Sequence, residues 1–207
     1  DPVEATDGLK IVPNYTFANA PAPKVIVIPA QRGQSEAMLR WIRTASGAAD
    51  ITMSVCVGAN ILASTGLLSG RAATTHHNSY RSFAAAFPDI ELKRGVRFVE
   101  DGKFATSGGL SSGIDLALRV VSRYFGDESA KRTAYYMEYL GEGWRHPESN
   151  KVYAQRPVST PAHPLCAVCD MEVNLKTAPK LEYAGKTYYF CSDDHKRDFE
   201  QNPKAFI

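Results

Sequence analysis

The groups with most chemistry to offer are four cysteines and five histidines, spread unevenly along a chain of 207 residues. Cys56 stands alone. Cys166, Cys169 and Cys191 crowd toward the C-terminus, and His195 follows the last of them. A lone cysteine is either inert core or a nucleophile, because the thiolate is the reactive form and apolar burial suppresses it. Clustered thiol and imidazole donors suggest a metal, and the alternatives are buried inert thiols or a transient Cys166–Cys169 disulfide.

Cys56 has the sequence context of a nucleophile. In Met53-Ser-Val-Cys56-Val-Gly-Ala-Asn60 it ends a β-branched run and precedes a helical pattern. A strand's carboxyl end opens onto the ligand crevice of an open α/β sheet. The following helix N-terminus adds free N–H groups and positive potential, which favour thiolate and oxyanion. Gly58 and Ala59 are small enough for the sharp turn. His76 is the expected partner and His77 a second candidate. Asp115 reads as a helix-start cap and not as a catalytic group.

The C-terminal spacing is that of a ligand set. Cys166-Ala-Val-Cys169 is a two-residue knuckle, and Cys191-Ser-Asp-Asp-His195 places its ends one helical turn apart. Between them, Leu181 to Phe190 reads as a hairpin turning at Ala184-Gly185. Four such donors suit tetrahedral zinc in a closed, structural site, with Cu(I) compatible on softness. A unit this small needs such a staple. His163, among prolines, reads as solvated.

Other elements must position these residues. Lys24-Val-Ile-Val-Ile-Pro29 reads as a strand buried on both faces, and Ile51 to Val55 as a second. Ser35 is expected to cap a helix through Met38, Leu39, Ile42 and Ala45. Gly58 to Leu68 and Tyr80 to Phe87 read as helices, Arg71 to His76 as a short strand. Ile90–Lys93, Val96–Val99 and Lys103–Thr106 are strand-like, with Asp101-Gly102 as a turn. Ile114, Leu118, Val121 and Phe125 share a face of a long helix, and Asp127 is expected to cap another through Tyr139. Alternating strands and helices predict a mainly parallel sheet with helices on both faces. Residues 141–163, with several prolines and little periodicity, read as a linker between residues 1–140 and a module at 164–207.

Ser54-Val-Cys56-Val-Gly-Ala-Asn-Ile-Leu-Ala-Ser-Thr-Gly-Leu-Leu-Ser-Gly70, Ala73-Thr-Thr-His76 and Thr106-Ser-Gly-Gly-Leu-Ser-Ser-Gly-Ile-Asp-Leu-Ala-Leu118 resemble the ThiJ/PfpI family over residues 8–140. They are most similar to its class I glutamine-amidotransferase-like branch containing isonitrile hydratases and regulator-linked domains. The resemblance implies a flavodoxin-like three-layer α/β/α fold, Cys56 as nucleophile and His76 beside it. It also implies an oxyanion site from backbone N–H groups of Val57, Ala30 and Gln31, and a homodimer. Pro29-Ala-Gln-Arg-Gly33 stands where many relatives have Pro-Gly-Gly. The family's first strand, first helix and an acidic residue would precede Asp1, so a companion N-terminal fragment is an expected partner. Cys169-Asp-Met171, Tyr188-Tyr-Phe-Cys191-Ser, Phe199 and Asn202-Pro203 resemble a YHS domain, an α+β module, in which His195 replaces a more usual cysteine and Cys166 is extra.

Composition narrows the classes further. Formal net charge is +2, with 44% hydrophobic and 22% charged residues. This balance gives no electrostatic reason to expect nucleic acid. No apolar run approaches the roughly 18 residues of a membrane span. Free thiols fit a reducing cytoplasm. The leading expectation is a hydratase or C–N hydrolase acting on a small electrophile, isonitrile hydratase-like, with zinc and no organic cofactor. Two alternatives stand beside it: a redox or small-molecule sensor, and a metal-trafficking protein.

Overall fold

In the computed structural model, which describes all residues except Asp1, Thr6, Asp7 and Arg32, a four-stranded sheet carries the larger module. After a short hairpin, β1 (Val3–Glu4) with β2 (Lys10–Ile11), come β3 (Val25–Ile28), α1 (Glu36–Ala48), β4 (Ile51–Val55) and α2 (Gly58–Ser64). Next are β5 (Ala72–Ala73), α3 (Tyr80–Ala86), β6 (Glu91–Leu92), β7 (Phe98–Asp101), β8 (Phe104–Ser107), α4 (Leu110–Phe125) and α5 (Asp127–Tyr136). The sheet order is β3-β4-β8-β7, with β3, β4 and β8 parallel and β7 antiparallel to β8. β5 and β6 form a small parallel pair of their own.

Period-two alternation explains the layers. Ile26 and Ile28 face Leu39 and Ile42 of α1, Ile61 and Leu62 of α2, and Phe83 of α3. Ile51, Met53 and Ala105 face the other way, onto Leu116 of α4. The fold is therefore a flavodoxin-like α/β/α sandwich. Ser35 caps α1 as its position predicts, its hydroxyl accepting the Met38 N–H at 3.2 Å.

Four local expectations need correction. β3 is not buried on both faces: Val27 is 54% exposed, because β3 is the sheet edge and α4 shields β4 and not the strand beyond it. α2 stops at Ser64, where the Thr65 hydroxyl bonds the Leu62 carbonyl and Gly66 takes φ +80°. Phe125, although in register with Leu118, is exposed at the end of α4. Asp127 is the first residue of α5 and not its cap. The cap is Gly126, and the Asp127 carboxylate accepts the Ser122 hydroxyl.

Part of residues 141–163, read from sequence as linker, packs onto the sandwich. Trp144 is buried with Leu118, Ala130 and Ala134, and Ala154 lies against Gly95. The remaining elements, β9 (Lys180–Tyr183), β10 (Lys186–Tyr189) and α6 (Asp193–Gln201), wrap a small core of Val168, Phe190, Phe199 and Phe206. The β9–β10 turn falls at Ala184-Gly185 as expected, with φ +50° and +74°. Both residues at positive φ define a type I′ turn.

Candidate functional site

Cys56 leaves β4 with φ +58°, a left-handed conformation that costs a non-glycine residue energy. Hydrogen bonds over-determine it. Its N–H is shared between the carbonyls of Ser107 (3.2 Å) and Gly108 (2.9 Å), and its own carbonyl accepts the Thr75 hydroxyl at 3.1 Å. The chain then enters α2 through Val57, an N-cap without a side-chain hydrogen bond. Gly58 has to be glycine: a Cβ there would sit 2.3 Å from the Ile28 carbonyl oxygen and 2.7 Å from that of Pro29. This contact brings the start of α2 against the exit of β3. Arg32, next in sequence after Gln31, lies outside the described residues.

His76 follows Thr75 and is half-buried. Its Nδ1 accepts the Asn78 N–H at 3.3 Å, which leaves Nε2 to carry the proton of the neutral ring. Burial lowers its pKa. Gly109 passes so close that a Cβ would approach His76 Cδ2 to 3.2 Å. Here a cavity of about 360 Å³ opens, lined by His76, His77, Gly108, Gly109, Asn150 and Tyr153, among others. Cys56 does not line it and meets its wall through Gly108, whose carbonyl accepts the Cys56 N–H.

His77 stacks on Tyr153 with ring centroids 4.5 Å apart and planes at 22°. Burial, and then the charge of His76, lower its pKa, while Asp170 acts in the opposite direction. Asn150 and Tyr153 were missed as site residues because nothing in a proline-rich stretch signals where it folds back. Asp115 was misread: it is fully buried inside α4, bonded by Arg97 and, at 3.0 Å, by the Tyr139 hydroxyl. Arg97 in turn accepts the Gly108 N–H on its carbonyl at 2.9 Å. Asp115 thus holds the loop that walls the cavity.

The second site gathers Cys166, Cys169, Cys191 and His195, whose ligand atoms all lie within 4.8 Å of one another. The knuckle is pinned to β10: Ala167 N–H bonds the Tyr189 carbonyl at 2.9 Å, and Asp170, at φ +59°, returns its N–H to Cys166 at 3.0 Å. Cys191 precedes α6, and the cap Ser192 accepts the His195 N–H at 3.3 Å. A tetrahedral zinc with bonds of about 2.3 Å to sulfur and 2.0–2.1 Å to nitrogen separates two sulfurs by about 3.8 Å and sulfur from nitrogen by about 3.6 Å. Cys169 and Cys191 sulfurs are 3.7 Å apart, and Cys166 Sγ lies 3.6 Å from His195 Nδ1. Cys191 Sγ to His195 Nδ1, at 3.1 Å, is tighter than that figure. The donor set fits a tetrahedral metal.

Hydrogen bonding in this cluster favours the thiolate at Cys166 alone. Hydrogen bonds from Cys169, His195 and the knuckle N–H groups bring Cys166 down to about 3. Sharing a proton with Cys166 pushes Cys169 up, burial pushes Cys191 up, and the Cys166 sulfur raises His195. His163 stays exposed, 3.3 Å from Glu172.

An α/β sandwich with a cysteine at its strand–helix elbow, joined to a Cys3His module, defines a two-part protein class. The chain belongs to the DJ-1/PfpI family, whose model matches residues 1–123, and a YHS domain matches residues 167–207. It is 34% identical to the isonitrile hydratase of Pseudomonas putida over 67% of this chain and 61% of that protein. It is 27% identical to an HTH-type transcriptional regulator of Pseudomonas aeruginosa over 61% of this chain and 35% of the regulator. The chain therefore spans less than two thirds of either relative. Among solved structures, a ThiJ/PfpI family protein from Pseudomonas syringae superposes with TM-score 0.60 at 30% identity, over 69% of this chain and 60% of that one. Among the described residues, no helix is long and apolar enough to cross a membrane.

Proposed function

We propose that the α/β module, residues 1–140, is a cysteine-dependent hydratase or hydrolase for a small electrophile, most simply an isonitrile. The observation that carries this is the elbow: Cys56 held at φ +58° between β4 and α2, one hydrogen bond from the wall of the His76 cavity. The thiolate adds to the isonitrile carbon, which takes a proton, and a thioimidate forms. Water adds to that carbon, the C–S bond breaks, the sulfur leaves, and a formamide is released. His76, neutral because burial lowers its pKa, is the proton carrier, and N–H groups of Val57, Ala30 and Gln31 steady developing negative charge. In this reading the working unit is a homodimer, and no organic cofactor takes part.

In the same proposal, residues 164–207 hold one structural zinc through Cys166, Cys169, Cys191 and His195. The ion contributes folding free energy to a unit whose own core is small.

The test is turnover of isonitriles by the full chain and by Cys56→Ser. Loss of turnover in a folded Cys56→Ser protein is expected; turnover unchanged by the substitution refutes the reading. The similarity to regulators favours a second reading, in which the same cavity holds an effector and Cys56 registers it. Saturable effector binding without turnover selects that reading.

A further inference from the structure

A second cavity, about 200 Å³, lies at the seam between the modules and shares His77, Tyr80 and Tyr153 with the His76 cavity. Its other walls bring together three arginines from distant parts of the chain. Arg81 comes from α3, Arg94 from the loop after β6, and Arg156 from the segment joining the modules. One carboxylate, Asp170, faces these three guanidinium groups.

Their present bonds leave donors over. Arg156 gives Nε to Asp170 at 2.8 Å, and Arg81 gives one Nη to the Ala167 carbonyl. Arg94 makes no ion pair among the described residues and lies over the Tyr80 ring, 5.7 Å from its centroid. Each guanidinium has five N–H donors in a rigid fork. The Tyr80 oxygen already accepts the Gly95 N–H at 3.0 Å, so its own proton is available to a further acceptor.

A carboxylate offers two oxygens, whereas three converging forks and a phenol suit an anion with oxygens on several sides. We propose that this seam binds a phosphate group, free or as the head of a small phosphomonoester, and that the bound anion braces the metal module against the α/β module. The bracing follows from the partners: Arg81 already holds Ala167 inside the Cys166–Cys169 knuckle, and Arg156 holds Asp170 directly after it. Neither Cys56 nor its proposed chemistry enters this inference.

The experiment titrates the full, zinc-loaded chain with inorganic phosphate, against chloride at matched ionic strength, by calorimetry and by amide chemical shifts. Saturable binding is expected, with shifts concentrated at residues 77–81, 94–95, 153–157 and 170. Arg94→Gln is expected to weaken it at least tenfold; Arg94 is chosen because it has no ion pair to lose among the described residues. A parallel titration with glycerol 3-phosphate separates the sources: tighter binding than inorganic phosphate marks an ester as ligand, equal or weaker binding marks the free anion. Absence of saturation, shifts clustered elsewhere, or unchanged affinity in Arg94→Gln overturns the proposal. If Arg94→Gln fails to fold, the shift map of the unaltered chain decides. Phosphate binding that survives Cys56→Ser keeps this outcome separate from the fate of the enzymatic reading.

Discussion

Arg97 and Asp115 allow a stability prediction worked from the structure. The Asp115 side chain is 0% exposed and that of Arg97 17%. The Asp115 carboxylate is satisfied by the Arg97 Nε and the Tyr139 hydroxyl. Removing Arg97 as Arg97→Leu strands a buried carboxylate, which costs about 3–5 kcal/mol. In a chain of this size each kcal/mol moves Tm by roughly 2–4 °C, so the variant should melt about 6–20 °C lower. Replacing both partners, Arg97→Leu with Asp115→Leu, removes the charge with its counter-ion and should recover most of that loss. The assay is urea and thermal unfolding by circular dichroism on zinc-loaded protein, with the near-ultraviolet band reporting the Trp144 environment. A fall below about 1 kcal/mol in Arg97→Leu, or a double variant no better than the single one, refutes the claim that a buried ion pair holds this corner. A cavity effect is expected too: the Arg97 guanidinium donates to the Ser111 hydroxyl at 3.3 Å, and Ser111 lines the His76 cavity, so ligand affinity there should drop in Arg97→Leu.

Three further outcomes are expected. Cys191→Ser should reduce bound zinc well below one equivalent, measured by metal analysis after gel filtration, and should make residues 167–207 susceptible to protease; full retention of metal contradicts the ligand assignment. Burial depresses His76 and His77, so the unfolded chain takes up protons first and stability contributed by their neutral burial is complete above about pH 6.5 and declines as pH falls below it. Unfolding midpoints at pH 5 and 7 check the direction, and His76→Gln should flatten the slope. Ala184→Asn should raise stability by about 0.5–1 kcal/mol in the zinc-loaded chain, because asparagine tolerates the φ of +50° that alanine endures at this turn.

Local patterning made the strands and helices that carry Cys56 readable. A β-branched run ended by a cysteine and two small residues already specifies a strand, an elbow and a helix, and Ser35 announces α1 by its hydroxyl. The clustering of Cys166, Cys169, Cys191 and His195 was readable for a similar reason, since a two-residue knuckle and a one-turn spacing are local geometries. Features decided by distant contacts were not. Val27 has the same composition around it as a central strand, and only sheet order reveals that it lies at an edge. Asp115 looks like a cap because caps are short polar residues near helix starts; its real partner, Arg97, is brought by the β7–β8 hairpin. Tyr153 could not be placed, because stacking on His77 depends on Trp144 first anchoring the segment to α4 and α5.

The anchored segment has a consequence for how the two halves communicate. Trp144 fixes its beginning in the α/β core, Tyr153 fixes its middle on His77, and Arg156 fixes its end on Asp170 beside a proposed metal ligand. A displacement of the knuckle on metal loss would release Arg156 and the Arg81–Ala167 bond together, since both attach within one turn of Cys169. Tyr153 lies three residues from Arg156 and forms a wall of the His76 cavity, so it would lose one of its two flanking anchors. Metal removal should therefore broaden the resonances of His76 and His77 while leaving the β3–β4–β8 strands protected from hydrogen exchange. Loss of strand protection along with them would mean that the metal stabilises the whole chain globally. An unaltered pair of histidines would mean that the two modules, although in contact, are energetically independent.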